Sequence, residues 1–385
     1  MYRGLTGEFK IKKSGGEEVR SFIPFPLAPR PTLNIDSELR DRLDAALIEL
    51  GRLDGVAALL PDLSLFLYSY VRKEAVLSSQ IEGTQSSLSD LLLFELEEFP
   101  GIPLDDVVEV SNYVRALTYG LARLRDLPLS NRLIREVHEI LLRRGRGSEK
   151  EPGEFRRSQN WIGGTKPGNA FYVPPPEDLV PDLMSSLEKF LNDIPDKSPT
   201  LIKAALAHVQ FESIHPFLDG NGRVGRLLIP MILCRDGILK EPLLYMSLYF
   251  RRRRTEYFDL LTKTRLEGDW EAWLRFFTEG VYEISKEASA AAGRLAAIGA
   301  EDRRKLESLG RMSSSALRLH QALQRRPLES IPSLSRECNL SVPAVTRAIE
   351  SLQKAGIIKE ITGKKRGRLF LYVRYMDVLG AGTET

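Results

Sequence analysis

Residues 215–226 combine the residue types that phosphate chemistry requires. Their sequence is His-Pro-Phe-Leu-Asp-Gly-Asn-Gly-Arg-Val-Gly-Arg. The residues after Gly222 have the apolar spacing of a helix, which places Gly220, Asn221 and Gly222 at its N-terminus. There, unsatisfied backbone N–H groups and the positive end of the helix dipole face outward, and glycine lets a phosphate approach the backbone closely. The stretch therefore predicts a nucleotide-binding site.

Four side chains in the same stretch support this prediction. Arg223 and Arg226 are three positions apart, so they share a helix face, and guanidinium groups bind phosphate oxygens in pairs. Asp219 supplies a carboxylate beside them that suits Mg²⁺. His215, with an ordinary pKa of about 6.5, can take a proton from an attacking hydroxyl. The combination predicts in-line attack on a polyphosphate, although each residue alone is more often structural.

The stretch resembles the signature of Fic-domain proteins, HPFx(D/E)GNGRxxR, at every specified position. The resemblance implies transfer of AMP from ATP to a hydroxyl side chain (Tyr, Thr or Ser) of a target protein, with release of pyrophosphate. It implies that His215 is the general base, Asp219 holds Mg²⁺ and Arg226 contacts the γ-phosphate. The implied nucleotide-binding residues are Gly220, Asn221, Gly222, Arg223, Val224, Gly225, Arg226 and, near the nucleobase, Tyr257. Relatives that transfer phosphate have Lys in place of Gly222, so its absence favours adenylylation.

A second motif lies upstream, at the end of a helix predicted over residues 63–80. Ser78, Glu82 and Gly83 fit the pattern (S/T)xxxE(G/N), which resembles the inhibitory motif of Fic proteins whose inhibitory helix precedes the core. The resemblance implies that Glu82 pairs with Arg226 and takes the place of the γ-phosphate. By itself, a Glu-Gly pair at a helix end is usually a C-cap.

A third pattern precedes the signature. Residues 161–164, Trp-Ile-Gly-Gly, and residues 170–173, Ala-Phe-Tyr-Val, flank a Pro-Gly turn, which predicts a hairpin. It resembles the Fic flap, which binds a target segment by strand addition. The implied target-docking residues are Trp161, Ile162, Gly163 and Gly164. An ordinary surface hairpin is the alternative.

Composition limits the remaining functions. The chain has 385 residues, a formal charge of +3, four histidines and two cysteines. Two cysteines indicate no disulfide framework and no zinc site, so we expect a cytoplasmic protein. No apolar run is long enough to span a membrane, and no membrane partner is expected. His138 and His208 lie in apolar helical patterns and are predicted to be packing or hydrogen-bonding residues.

The residues from 313 onward are predicted to form a separate domain. Two short helices flank a turn, with Ser341 as N-cap of the second, and two strands at 356–361 and 369–373 follow. This resembles a winged helix. Candidate DNA contacts are Ser341, Thr346 and Arg347 in the major groove and Lys364, Lys365, Arg366 and Arg368 on phosphates. Dimerisation or protein docking is an equally open role for such a domain.

The whole pattern predicts a mainly α protein, with a helical Fic core, a small β-hairpin flap and a C-terminal winged helix. The predicted segments are an extended arm and inhibitory helical region at 1–103, the core at 104–285, a connector helix at 286–312 and the winged helix at 313–385. The resemblance also implies that the protein modifies itself and forms a homodimer. The alternatives to an autoinhibited adenylyltransferase are a DNA-binding regulator that senses nucleotide and a bifunctional enzyme that also removes AMP.

Overall fold

Helices make up most of the protein, in agreement with the predicted fold class. The computed structural model describes residues 3–14, 17–59, 63–96, 104–308 and 313–383. The helices are α1 Ser37–Leu59, α2 Leu63–Ile81, α3 Leu88–Glu95, α4 Leu104–Arg123, α5 Asn131–Leu141, α6 Val180–Leu191, α7 Thr200–Ile214, α8 Asn221–Arg235, α9 Ser247–Arg252, α10 Arg254–Glu267, α11 Trp270–Glu307, α12 Ser313–Arg325, α13 Ile331–Cys338, α14 Val342–Lys354 and α15 Val373–Gly380. The strands are β1 Gly7–Ser14, β2 Glu17–Pro24, β3 Leu328–Ser330, β4 Ile358–Glu360 and β5 Leu369–Tyr372. None of the described helices is both long and apolar enough to cross a membrane.

The chain packs into two compact units, each built from two separate stretches. The signature unit consists of residues 1–51 and 112–285, and the winged-helix unit of residues 52–111 and 286–385. The division differs from the linear segments predicted above, because residues 52–111 pack with the C-terminal part of the chain. The predicted connector, residues 286–312, forms the second half of α11 as far as Glu307. Residues 309–312 lie outside the described residues, as do Pro100 and Pro103 near the end of the predicted first segment.

The N-terminal part of the signature unit is a β-hairpin instead of the expected extended arm. β1 and β2 pair from Gly7 opposite Pro24 to Ser14 opposite Glu17. Phe22 is buried, packs edge-on against Phe9, and donates its N–H to the carbonyl of Val173 at 2.9 Å. Phe9 and Phe22 therefore give the hairpin an aromatic contact of its own, and Phe22 joins it to the rest of the unit.

The core of the signature unit is the pair of helices α7 and α8. Every residue of α7 from Leu201 to Ile214 is buried, because helices and the hairpin surround it. Trp273 of α11 donates its indole N–H to the carbonyl of Ala205 at 2.9 Å. The two helices meet closely at Gly225, where a Cβ atom would lie 2.5 Å from a carboxylate oxygen of Glu212. A glycine is required there for the helices to approach.

The C-terminal half of the winged-helix unit has the predicted helix-turn-helix, formed by α13 and α14. Its sheet has three strands in the order β3-β5-β4 instead of the predicted two. The sequence pattern does not indicate β3 or the helix α15, because a three-residue strand and a helix that starts within a strand pattern leave little periodicity. Ser341 occupies the predicted N-cap of α14, but among the described residues its hydroxyl makes no capping hydrogen bond.

Candidate active site

The loop between α7 and α8 joins two helix ends through left-handed backbone. His215 follows the last residue of α7 with φ 49° and ψ 59°, and its N–H donates to the carbonyl of Phe211 at 2.9 Å. Gly220 precedes α8 with φ 77°. The predicted helix start at residues 220–222 is therefore confirmed. The bond from the N–H of Val224 to the carbonyl of Gly220 begins the hydrogen bonding of α8. The N–H groups of the first turn therefore point out of the helix toward the loop.

Asn221 fixes the middle of the loop. Its side-chain oxygen accepts the N–H of Phe217 at 2.8 Å, and its amide group donates to the Phe217 carbonyl at 2.8 Å. Asn160 donates to the same carbonyl at 2.9 Å. Since Asn221 is only 2% exposed, its side chain is part of the interior and holds the backbone of the loop.

His138 of α5 contacts the loop through Phe217 and Asp219. Its Nδ1 accepts the N–H of Gly153 at 2.9 Å, so Nε2 carries the proton and donates to the carbonyl of Asp219 at 3.0 Å. The ring stacks on Phe217 with centroids 3.6 Å apart. Burial lowers the pKa of His138 to about 4, which keeps the imidazole neutral. The sequence correctly predicted a hydrogen-bonding residue, but its partners come from the tertiary structure.

Arg156 holds the other end of the loop and was not predicted. Its Nε donates to the carbonyl of His215 at 3.0 Å, and its Nη atoms donate to the carbonyls of Ser158 and Pro175. Its own N–H donates to the carbonyl of Pro216 at 2.9 Å. The guanidinium is buried, and burial lowers the pKa of Arg156 to about 10. His215 has left-handed backbone, a conformation that costs a non-glycine residue about 1 kcal/mol. Arg156 holds this backbone in place, and no sequence motif marks Arg156 for that role.

The two signature arginines are buried, so they do not form the solvated face that is common for arginines at this spacing. Arg223 is 1% exposed and Arg226 is 3% exposed. Arg223 donates to Oδ1 of Asp219 at 3.2 Å, and the N–H of Gly220 donates to the same oxygen at 2.5 Å. Two buried guanidinium groups beside a helix N-terminus concentrate positive charge there, which suits an anionic ligand such as a phosphate.

Asp219 is the one carboxylate of the signature loop and the predicted metal ligand. Among the described residues, no group of three or more His, Cys, Asp or Glu is arranged to hold a metal ion. Oδ2 of Asp219 faces Gly147, where a Cβ atom would approach it to 2.9 Å. One protein carboxylate fits the usual Mg²⁺ arrangement, in which phosphate oxygens and water complete the coordination.

Tyr257 lies among aromatic residues in the interior of the signature unit. It is 1% exposed, its ring stacks on Phe250 at 4.6 Å, and its hydroxyl lies 2.8 Å from Nε2 of His208. Burial lowers the pKa of His208 to about 4. His208 is thus a packing and hydrogen-bonding residue. Phe258, the residue after Tyr257, is more exposed, at 39%. The nucleobase role of Tyr257 stays a prediction.

The predicted hairpin before the signature exists as a short bridge. Ile162 and Tyr172 pair antiparallel, with Ile162 donating its N–H to the Tyr172 carbonyl at 2.8 Å and accepting the N–H of Phe171 at 2.9 Å. A 3₁₀ turn, Pro167–Asn169, connects the two sides. Val173 continues the second side and accepts the N–H of Phe22. The β-hairpin therefore covers that edge, and the strand around Ile162 is the outer one.

Tyr172 anchors this flap to the signature unit. Its hydroxyl donates to the carbonyl of Ser213, two residues before His215, at 2.5 Å. Burial raises the pKa of Tyr172 to about 12, and the guanidinium of Arg265 lies 3.9 Å above its ring. Beside it is an open cavity of about 420 Å³. Its walls come from the β-hairpin, the flap and α10, including Leu5, Phe9, Arg20, Phe171, Arg265 and Leu266.

The predicted inhibitory motif lies in the winged-helix unit. α2 extends from Leu63 to Ile81, close to the predicted 63–80, and Glu82 follows it directly. Gly83 has φ 100°, which an L-residue rarely adopts, and it ends the helix as a glycine C-cap does. Glu82 is half-buried.

The predicted DNA contacts lie on the surface of the winged-helix unit. Arg347, Lys364, Lys365 and Arg366 are exposed, and Thr346 is half-buried. The hydroxyl of Thr346 donates to the carbonyl of Val342 at 2.9 Å, within its own helix. Their involvement with DNA stays a prediction.

Comparison with known protein families assigns most of the chain. Residues 40–122 match the Fic/DOC family N-terminal region, residues 128–233 match the Fic/DOC family, and residues 312–359 match a winged helix-turn-helix DNA-binding family. The Fic/DOC match includes the histidine at the end of α7 and the glycine turn at the start of α8. The chain therefore contains a Fic/DOC family domain, the N-terminal region of that family and a winged helix-turn-helix domain.

Curated relatives and solved structures agree with this assignment. The chain is 34% identical over 204 residues to "Protein adenylyltransferase Fic" of Drosophila ananassae and 35% identical over 206 residues to that of Drosophila melanogaster. These matches cover 52% of this chain and 38% of each relative, so the chain spans about two fifths of their length.

Two crystal structures show the same fold. One is a Fic family protein from Desulfovibrio desulfuricans, at TM-score 0.56 and 20% identity, covering 90% of this chain and 98% of that one. The other is a Fic domain containing signaling protein from Bacteroides thetaiotaomicron, at TM-score 0.53 and 21% identity, covering 66% and 97%.

Proposed function

We propose that the protein is an autoinhibited adenylyltransferase that transfers AMP from ATP to a hydroxyl side chain of a target protein. The observation that carries the proposal is the braced loop from His215 to α8, with Arg223 and Arg226 buried at the helix that follows it. The name of the Drosophila relatives supports the same reaction.

In this reaction His215 takes the proton of the target hydroxyl, whose oxygen attacks the α-phosphorus while the bond to the β-phosphate bridging oxygen breaks and pyrophosphate leaves. The N–H groups at the start of α8, from Asn221 to Arg223, and the two arginines stabilise the phosphate charges, because buried donors aimed at developing charge need little reorganisation. Gly222 and Gly225 leave room for the phosphates and for the approach of α7. Asp219 would hold Mg²⁺, which neutralises phosphate charge when bound.

The inhibitory part of the proposal assigns Glu82 as a carboxylate competitor of the γ-phosphate at Arg226. A carboxylate and a phosphate oxygen bind the same guanidinium fork, so only one can occupy it. Ser78 and Gly83 complete the motif. A change that removes this carboxylate should therefore increase transfer.

Target docking in this proposal uses the outer edge of the flap at Ile162. The β-hairpin covers the opposite edge through Phe22, so an added strand must pair beside Trp161 to Gly164. Gly163 has φ 70°, and a Cβ atom there would lie 2.0 Å from the Phe171 ring. Gly163→Ala should lower target modification about tenfold while ATP affinity stays constant, since it distorts only the flap. Parallel loss of ATP binding would contradict this role.

Two other functions remain as alternatives. A nucleotide-sensing DNA-binding regulator would use the winged helix and need phosphate ligands, but it would not need His215 as a base. A bifunctional enzyme would also use Glu82 to position water and remove AMP. The braced His215 backbone favours transfer over sensing. The target protein, self-modification and a homodimer belong to the proposal as partners to be tested.

The decisive experiment is label transfer from α-³²P-ATP with Mg²⁺. Wild type, Glu82→Gly, and Glu82→Gly with His215→Ala are compared, with the protein itself and a cell extract as acceptors. We expect label on protein in Glu82→Gly and its loss in the double variant. Label that persists without His215 would reject its role as base, and ATP binding without label in any variant would favour the sensor.

A further inference from the structure

The inhibitory helix α2 packs against the winged-helix domain within one compact unit. Helices α12 and α15 both contact α2, and β3 contacts α3, the helix that follows the inhibitory motif. α15 begins directly after β5, the central strand of the winged-helix sheet. The position of α2 is therefore tied to the folded winged-helix domain.

Residues 381–383, which follow α15 and are called the tail here, lie on the last turns of α2. Lys73 donates from Nζ to the carbonyl of Ala381 at 2.5 Å, and Gln80 donates from Nε2 to the carbonyl of Thr383 at 3.1 Å. Thr383 is 4% exposed, and its N–H and hydroxyl both donate to the carbonyl of Gly380, at 2.9 and 2.8 Å. The tail is thus a closed turn whose carbonyls face α2.

Gln80 connects the tail to both sides of the inhibitory motif. It lies two positions before Glu82, and its Nε2 also donates to the carbonyl of Ser86 at 3.0 Å. The backbone between them is a turn in which Glu82 and Thr84 both donate to the carbonyl of Ser79, at 3.0 and 3.2 Å. A single amide group therefore holds the turn that carries Glu82 against the tail.

The middle of α2, from Tyr68 to Arg72, is held as well. Tyr68 donates its hydroxyl to Glu95 at 2.6 Å, and Arg72 donates to the same carboxylate at 2.8 Å while its guanidinium lies 3.3 Å over the Tyr68 ring. The guanidinium of Arg326, which follows α12, lies 5.5 Å from that ring. Cation–π and charge-assisted contacts thus anchor the middle of α2 as well.

We propose that the winged-helix domain and its tail are a clamp on the inhibitory helix, so that the state of this domain sets how firmly Glu82 is held. The effect of the clamp on AMP transfer rests on the proposed function, whereas the contact between the tail and α2 can be tested without an activity assay. When the tail is absent, Lys73 and Gln80 each lose one acceptor, and a helix end with fewer contacts opens more often. A frayed end holds Glu82 less firmly.

Amide hydrogen exchange tests the clamp directly. A chain that ends at Gly380 lacks both acceptor carbonyls, and the full-length chain, which keeps both, serves as the control. We expect the amides of Glu82, Gly83 and Thr84 to exchange roughly tenfold faster in the shorter chain, since local opening governs their exchange. Equal exchange in the two chains would overturn the proposal.

Activity in the full-length chain tests the consequence. Gln80→Leu removes the donor to the tail, and Gln353→Leu changes an exposed glutamine of α14 as the control. We expect Gln80→Leu to raise AMP transfer about fivefold in the wild-type background and not at all on top of Glu82→Gly.

The two proposals fail in different ways. If Glu82→Gly transfers no AMP, the proposed function fails and hydrogen exchange alone decides the clamp. If Glu82→Gly is active and exchange is faster, but Gln80→Leu leaves transfer unchanged, the clamp does not control activity and this inference is wrong.

Discussion

The signature loop and the basic turn of the winged helix, residues 361–368, are two regions for which the sequence predicts phosphate contacts, and they are built differently. In the signature loop, Asn221, His138 and Arg156 each bind backbone groups of the loop, and both signature arginines are buried. In the basic turn, the side chains of Lys364, Lys365 and Arg366 are exposed.

Two backbone donors of the basic turn bind a carboxylate of the protein itself. The N–H groups of Thr362 and Gly363 donate to the carboxylate of Glu360, at 2.7 and 3.1 Å. An ordered site can select one phosphate geometry, whereas mobile exposed charges attract any polyanion with strong salt dependence. Similar residue types therefore give a specific site only where tertiary contacts fix them.

The largest effect is expected from removing a brace of the signature loop. Asn221→Ala leaves Phe217 without its side-chain partners from α8, so we expect kcat/KM for AMP transfer in the Glu82→Gly background to fall roughly 100-fold. Stability should fall by about 1–3 kcal/mol. Steady-state kinetics and denaturation measure both. An unchanged kcat/KM would show that the loop does not need to be rigid.

A second test uses a buried acid of the winged-helix unit. Glu329 is fully buried, and among the described residues no hydrogen-bond partner faces its Oε1. Burial raises the pKa of Glu329 to about 7, although Arg326 opposes the shift. The folded state therefore keeps a proton that the unfolded chain loses near its ordinary pKa, so this contribution to stability is fully present at low pH and is lost as pH rises toward 7.

We expect the free energy of unfolding of wild type relative to Glu329→Gln to fall by about 2 kcal/mol between pH 5 and pH 7. Denaturation followed by circular dichroism at both values measures it. His138 has the opposite sign: its pKa is lowered to about 4, so its contribution is present above pH 6.5 and lost on acidification. A pH-independent difference between wild type and Glu329→Gln would show that Glu329 is not perturbed.

The smallest effect concerns the basic turn. If it touches DNA phosphates, Lys364→Ala with Lys365→Ala should weaken binding to random duplex DNA a few-fold at low salt. The salt slope should fall by about 1 for each phosphate that a lysine no longer neutralises. Fluorescence anisotropy over a salt series measures this, with Lys354→Ala as the control on α14. Identical slopes would remove the turn from any DNA interface.

Sequence patterns predicted the elements better than their partners. The helix ending at Ile81, the helix start at Asn221 and the helix-turn-helix follow from local glycine, capping and apolar spacing. The N-terminal hairpin, β3 and α15 were missed because their stability depends on contacts distant in sequence. Residues 52–111 were grouped with their neighbours along the chain, although they pack with the C-terminal part.

The sequence alone determined which chemistry is available: a base, a carboxylate, two arginines and a glycine turn within residues 215–226, because helix periodicity and glycine geometry are local properties. Only the tertiary structure decided how that chemistry is held. Arg156 reaches the His215 carbonyl from 59 positions away, and His138 reaches the Asp219 carbonyl from 81 positions away. Such contacts form when buried polar groups must be satisfied in a packed core, and no local pattern records which distant residue satisfies them.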